Sequence, residues 1–152
     1  MSETRDIRFL PATMREIASR SRLVRTAVLE AAQAGRADLE EKAKQNLTRG
    51  RPFLNRGTGR LLSETKAVLK PGSGEVTIAL ETSKVGYVHQ SGALILPTRG
   101  KYLKFRVAGR FVQVRRVVIP ARPWMSDALE RAGARMPTRL RQALDDVLGR
   151  AV

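Results

Sequence analysis

The chain has 152 residues, of which 42% are hydrophobic and 28% charged, which suits one globular domain that buries its own core. It contains no cysteine, which excludes disulfides, thiol catalysis and zinc–cysteine sites, and no apolar run nears the ~18 residues of a membrane helix. The 29 Lys and Arg against 14 Asp and Glu give a net charge of +15, concentrated in residues 101–152. Such charge suits nucleic acid or an acidic protein surface, and equally a solvated Arg-rich face.

The first 50 residues predict a short arm and a long helix. Residues 1–10 carry charges of both signs without the apolar core of a signal peptide, so we expect an N-terminal arm on a protein made and kept in the cytoplasm. Thr13 and Glu16 form a capping box. Apolar residues then recur at helical spacing, which predicts a helix over 12–48 with a bend at Gly35.

A loop and a first hairpin are predicted next. Residues 50–60 are rich in glycine, proline and polar residues, which is typical of a mobile loop. The segment from Arg60 to Lys70 is followed by the turn signal Pro71 to Gly74 and then by alternating apolar residues from Val76 to Leu80. This pattern predicts two antiparallel strands joined by a tight turn.

A second hairpin and a last helix complete the chain. Apolar residues on both sides of Gly109 predict a hairpin centred there, and Pro120 ends the strand that follows. Ser126 is a plausible N-cap for a helix over 124–149, and Pro137 should restart or kink that helix. Its amphipathic spacing predicts packing against the core.

These elements together predict an α+β fold in a single domain, 1–152. It has a long N-terminal helix, one antiparallel sheet of about four or five strands within residues 61–119, and a C-terminal helix packed on the sheet.

Catalytic constellations are sparse. The only histidine, His89, has no second His or Cys with which to complete a metal site. Gly57 to Gly59 lacks the spacing of a phosphate-binding loop, so it is interpreted as a turn. The sequence therefore predicts a protein that is not an enzyme and holds no cofactor or metal.

Three short strings follow one another in the chain. They run from Gly57 through Thr58, Gly59, Arg60, Leu61 and Leu62 to Ser63; from Tyr87 through Val88, His89, Gln90 and Ser91 to Gly92; and from Ile119 through Pro120, Ala121, Arg122 and Pro123 to Trp124. In this order and spacing they resemble the motifs of phage virion morphogenesis proteins, the neck or tail-completion proteins of head–tail joining. The match covers residues 57 to 126, and it departs from the family at Val88, at Ser91, where an aromatic residue is more usual, and at Trp124, which replaces phenylalanine.

The resemblance implies a structural virion protein at the head–tail junction that forms a six-fold or twelve-fold ring with itself. Its partners would be connector or head-closure proteins and the tail tube or tail-terminator proteins, with DNA passing through the lumen and no membrane contact. The mobile loop and the arm could order on docking.

The residue types suit non-catalytic roles in these motifs. Tyr87 and His89 can lie on one side of an extended or tightly turned segment, with Gly92 allowing a sharp exit. Pro120 and Pro123 would stiffen the third string and fix Arg122 relative to Trp124. These roles would anchor a loop within the subunit or form a contact between subunits. The alternative function is a small basic protein that binds nucleic acid independently of sequence.

Overall fold

The computed structural model describes residues 5–8, 22–50, 54, 59–72 and 75–149. The elements are β1 (Arg5–Arg8), α1 (Arg22–Thr48), α2 (Arg60–Glu64), β2 (Lys66–Pro71), β3 (Val76–Glu81), α3 (Lys84–Ser91), β4 (Ala93–Ile95), β5 (Leu103–Val107), β6 (Arg110–Val114), β7 (Val117–Ile119) and α4 (Trp124–Gly149). The α+β class is confirmed, with a long N-terminal helix, small antiparallel sheets and a C-terminal helix.

The two long helices form the main packing unit. At one end, the Asn46 side chain near the C-terminus of α1 donates to the Trp124 carbonyl at the N-terminus of α4, at 2.9 Å. At the other end, Ala27 and Ala31 of α1 cluster with Ala143 and Val147 of α4. The helices therefore run antiparallel, and small alanine side chains let them approach closely. The sequence had led us to expect the C-terminal helix on the sheet. It packs chiefly on α1 instead.

Gly35 lies where α1 is enclosed on two sides. A Cβ atom there would collide with the Met136 sulfur of α4 and come within 3.0 Å of the Ile78 side chain of β3. Because α1 is helical without interruption from Arg22 to Thr48, this glycine serves close packing. The predicted helix start and its capping box at Thr13 lie outside the described residues.

The sheet prediction was partly wrong. The largest sheet has three antiparallel strands in the order β1-β3-β2. Two separate two-stranded sheets pair β4 with β7 and β5 with β6. The first hairpin is confirmed in β2 and β3, although residues 73 and 74 of its turn lie outside the described residues. Part of the predicted N-terminal arm forms β1, with Arg5 opposite Leu80 and Arg8 opposite Thr77. Period-two alternation specifies a strand but not its partner, so one sheet could not be distinguished from three.

The second hairpin is confirmed at its predicted centre. Ala108 and Gly109 have φ values of 48° and 80°, as in the two-residue turns whose twist matches that of paired strands. Strand β7 ends at Ile119, directly before Pro120, also as predicted.

The expected N-cap of the last helix was wrong. Helix α4 begins at Trp124, so Ser126 lies inside it and is not its N-cap. Pro137 lies inside the same helix, which runs without interruption through 26 residues and so does not restart there.

Of the predicted mobile loop 50–60, the structure describes Gly50, Leu54, Gly59 and Arg60. Leu54 is buried in the main core together with Leu47 and Trp124. Its carbonyl accepts from the Gly50 N–H at 2.9 Å, which closes a turn after α1. None of the helices described here is long and apolar enough to cross a bilayer.

Candidate functional site: the motif junction and the ribbon

From Arg60 to Glu64 the first string forms a helix where the sequence predicted the start of a strand. Gly59 has φ of 79°, which favours glycine, and α2 begins at the next residue. Arg60 is exposed and its Nε lies 2.7 Å from Glu64 Oε1. Hydrogen bonding by Arg60, and then by Ser83, holds the pKa of the Glu64 carboxyl below its usual value. Thr58 lies outside the described residues.

The second string is helical too, instead of extended or tightly turned. Helix α3 carries Gly86 on the side that faces α2, where a Cβ atom would come within 3.1 Å of Leu61 Cδ1 and would collide with Thr82. The Thr82 and Thr65 hydroxyls lie 3.0 Å apart and both residues are buried. These contacts hold the first and second strings together.

Four hydrogen bonds join the segment around the second string to the segment around the third. We call residues 86–92 and 119–126 the motif junction. The His89 carbonyl accepts from the Arg122 N–H at 2.8 Å, and the Gly86 carbonyl accepts from the Trp124 indole at 3.2 Å. The other two bonds are made by Gln90, whose Oε1 accepts from the Met125 N–H at 2.8 Å and whose Nε2 donates to Ser126 Oγ at 2.7 Å.

Gln90 therefore caps α4 from another element. Met125 lies in the first turn of α4, where backbone N–H groups have no partner within their own helix. The acceptor comes from a residue 35 positions earlier in the chain. Sequence reasoning looked for a local cap at Ser126 and missed this role, because only the three-dimensional packing of α3 against α4 creates it.

Gly92 brings the two segments into backbone contact. Its φ is 75°, and a Cβ atom there would lie 2.9 Å from both the Ala121 nitrogen and the Ile119 oxygen. The chain leaves the junction here into β4 and returns through β7, whose pairing places Ala93 opposite Ile119. The junction is thus also the base from which residues 93–119 extend.

His89 is the titratable group of the junction. Burial, and then the charge of Arg122, lower the pKa of this imidazole from its ordinary value of 6.5. Its Nδ1 is buried and makes no hydrogen bond with a described residue. Across the described part of the chain, no three His, Cys, Asp or Glu side chains come together in a way that could hold a metal ion.

The structure brings most of the predicted site residues together. The motif junction contains Tyr87, His89, Gln90, Gly92, Arg122 and Trp124, and Leu61 of α2 lies against it at Gly86. Exposed positions are Pro120 and Pro123 of the junction and Arg60 and Ser63 of α2. The contacts of the motif junction fix the start of α4 and the base of residues 93–119.

We call residues 93–119 the ribbon. Directly opposite residues of an antiparallel pair point to the same face. The pairs Leu103–Val114, Phe105–Val112 and Val107–Arg110 therefore give β5 and β6 one apolar face, with Arg110 at its tip. The opposite face carries Lys104, Gln113, Arg106 and Phe111, with the Arg106 guanidinium 5.4 Å from the Phe111 ring centre.

Large apolar side chains on the ribbon are exposed. On the apolar face Phe105 is 38% exposed and Val107 52%, while Phe111, which is 70% exposed, lies on the opposite face. Leu94 and Val118 are exposed side by side in the β4–β7 pair. Neither β5 nor β6 packs extensively on a helix or on the three-stranded sheet. Clustered exposed apolar side chains of this kind are typical of an interaction site.

The ribbon lies within a long segment of the chain that has basic residues and no acidic ones. Residues 82–126 contain nine Lys and Arg and no Asp or Glu. The sequence showed the basic bias of the last third, but the acid-free segment begins earlier, after Glu81, and ends before Asp127. The structure shows that this segment consists of the junction and the ribbon.

Comparison with known proteins adds no relative: no family model, no curated protein and no solved structure matches this chain.

Proposed function

We propose that this chain is a structural virion protein of a tailed phage or tail-like particle, and that it forms a ring at the head–tail junction in a neck, tail-terminator or tail-completion role. The observation that carries the proposal is the ribbon, whose apolar face includes the exposed Phe105 and Val107 and on whose strands β5 and β6 no described helix or other sheet packs extensively. A subunit that completes its surface only in an assembly would carry such a face.

The motif junction supports the same proposal. The three strings that resemble phage morphogenesis proteins are separated in sequence, yet α2, α3 and the start of α4 pack on one another. Their contacts fix a helix start and the base of the ribbon. A family signature of this kind would preserve the orientation of an assembly arm, which is a structural role.

In this proposal the ring is six-fold or twelve-fold. It docks on connector or head-closure proteins on one side and on tail tube or terminator proteins on the other, and DNA passes through its lumen. The chain is made in the bacterial cytoplasm and resides in the virion. Docking brings preformed surfaces together, and the 50–60 loop and the N-terminal arm become ordered at the contact.

The test is to purify intact particles and to locate the chain by mass spectrometry and immunogold labelling. We expect the chain in the particles, with the label at the head–tail junction. A label elsewhere on the particle, or absence of the chain from particles that contain the other neck proteins, would contradict the proposal.

A second candidate function rests on the acid-free segment. Nine cations without a carboxylate over residues 82–126 suit the phosphate backbone of nucleic acid, and β-ribbons can enter a groove of duplex DNA. In that case the binding constant for random-sequence duplex should fall steeply with salt. Replacing both Lys104 and Arg106 with alanine should reduce the salt slope by about 1.8. No duplex binding at low salt would exclude this function.

A further inference from the structure

The β5–β6 hairpin has a second face whose chemistry differs from that of the apolar one. It carries three cations, two aromatic rings and an amide, and all six side chains are exposed. Four of the six are paired directly across the two strands, and the other two follow by alternation one position beyond the pairs. We call this surface the basic face, and its residues are Tyr102, Lys104, Arg106, Phe111, Gln113 and Arg115.

Each aromatic ring of the basic face has an arginine from the facing strand beside it. The Arg115 guanidinium lies 5.9 Å from the centre of the Tyr102 ring, and the Arg106 guanidinium lies 5.4 Å from the centre of the Phe111 ring. Phe111 is nevertheless 70% exposed and Tyr102 38% exposed. The rings therefore keep open surface directly beside positive charges.

The cations of the basic face have no counter-charge in the described part of the chain. Lys104, Arg106 and Arg115 form no ion pair with a described carboxylate. Residues 82–126 contain no Asp or Glu at all, so none is available nearby in the sequence. A surface that carries one sign of charge is complementary to a polyanion.

The exposed rings indicate which polyanion fits. An acidic protein surface or the phosphates of a duplex would need the cations alone, because the bases of a duplex are stacked on one another and present only their edges. In a single strand the faces of the bases are free to stack on aromatic side chains while the phosphates contact Lys and Arg. Exposed rings among cations therefore favour a single strand over a duplex.

The spacing of the rings suits several nucleotides of one strand. Tyr102 and Phe111 lie in cross-strand rows four positions apart, which is about 13 Å at ~3.3 Å per residue. That distance covers about four phosphate spacings of a stacked strand at ~3.4 Å each. Lys104 and Gln113 form the row between the rings, where an ammonium can donate to a phosphate and an amide can hydrogen-bond a base edge.

We propose that the basic face binds a single strand of nucleic acid. Bases stack on Tyr102 and Phe111. Phosphates contact Lys104, Arg106 and Arg115. Binding is independent of sequence, because every base has a face that can stack. This site goes beyond both functions proposed above, since neither of them uses the rings, and it does not depend on where the chain resides.

The first test compares a single strand with a duplex on the full chain. A labelled oligothymidylate of about 20 nucleotides and a random-sequence duplex of the same length are titrated by fluorescence anisotropy at near-physiological salt. We expect the oligothymidylate to bind at least about tenfold more tightly. Absence of oligothymidylate binding at low salt would overturn the inference. Duplex binding that is equal or tighter would overturn it in favour of the second candidate function.

Competition separates nucleic acid from an acidic protein surface. Unlabelled oligothymidylate should displace the labelled strand, and poly-glutamate at the same concentration of negative charge should displace much less of it. Equal displacement by poly-glutamate would show that charge alone is recognised, which would overturn the inference.

Substitutions on the two faces of the hairpin test the stacking. Phe111→Leu and Tyr102→Leu should each weaken oligothymidylate binding at least about fivefold and leave its salt dependence unchanged, because stacking releases no counterions. Lys104→Gln should instead reduce the salt slope by about 0.7. The matched control is Phe105→Leu on the apolar face, which should leave the affinity unchanged. The fluorescence of the buried Trp124 checks that each variant is folded. Equal effects of Phe111→Leu and Phe105→Leu would overturn the stacking role.

This proposal and the proposed function fail in distinguishable ways. If the chain is located at the head–tail junction but does not prefer a single strand, the binding site is wrong and the proposed function stands. If the chain binds single strands through the rings but is absent from particles, the proposed function is wrong and the binding site stands.

Discussion

Replacing Gln90 with methionine tests how the motif junction holds α4. Gln90 is only 7% exposed, and its Oε1 is the acceptor for the N–H of the fully buried Met125. Methionine keeps the length of the side chain and removes both polar atoms. A buried N–H without an acceptor costs about 1–3 kcal/mol, and loss of a helix cap typically costs ~1 kcal/mol. We therefore expect the free energy of unfolding to fall by about 2 kcal/mol, which for a chain of this size lowers Tm by roughly 4–8 °C.

The assay is equilibrium urea unfolding followed by the fluorescence of Trp124, the only tryptophan, which is fully buried. Gln142→Met on the exposed side of α4 is the matched control and should change stability by less than about 0.5 kcal/mol. Gln90→Glu should cost less than Gln90→Met, because a carboxylate still accepts from Met125 and favours the helix N-terminus. A loss for Gln90→Met no larger than that of the control would refute the capping role.

Three further predictions concern other residues of the described core and junction. Gly92→Ala should lower the free energy of unfolding by at least about 2 kcal/mol in urea titrations, because its Cβ would meet backbone atoms 2.9 Å away at positive φ; a neutral result would contradict the close approach. His89 has a pKa lowered in the folded state, so its contribution to stability is complete above pH ~6.5 and is lost as pH falls through the folded pKa; His89→Gln should therefore show a shallower fall in stability between about pH 7 and pH 5, and an unchanged slope would refute it. Asp38→Asn should cost about 2 kcal/mol by thermal unfolding, because Asp38 is 7% exposed and lies 3.5 Å from Arg135 and 3.3 Å from Arg139; a cost below about 0.5 kcal/mol would show that the pairs contribute little.

Local sequence signals predicted the features that depend on a few neighbouring residues. The turn at Gly109 follows from a glycine between two apolar runs, and the end of β7 follows from the missing N–H of Pro120. The C-terminus of α1 also lies near its predicted position. Each of these depends on backbone geometry within a few positions.

Features that depend on distant partners could not be predicted. Ser126 is a residue type favoured at N-caps, but α3 supplies Gln90 instead, and the helix starts three residues earlier than a cap at Ser126 would allow. The segment from Tyr87 to Ser91 is helical, and the close packing of Gly86 in the same helix against α2 is a contact that no local pattern encodes. The strand pattern around Leu103 specified alternation and not that the ribbon would separate from the main sheet.

For the candidate site, the sequence identified the three strings and their order, and the structure identified how they touch. The hydrogen bonds of Gln90 and of the Trp124 indole cross more than 30 positions. No periodicity or propensity encodes such pairs, since they depend on the relative placement of α3 and α4. The exposure of the ribbon likewise depends on the rest of the fold, because no described helix or other sheet packs extensively on β5 and β6.

The pairing of α1 with α4 affects how the chain folds during its synthesis. Helix α1 leaves the ribosome well before α4, and its buried alanine face finds its main partner in α4, the last of the described helices along the chain. About a hundred residues separate Thr48 from the end of α4, and at 5–20 residues per second they take roughly 5–20 s to synthesise. During that interval the nascent chain exposes the surface that α4 will later cover. The native core is therefore completed only after α4 has been made.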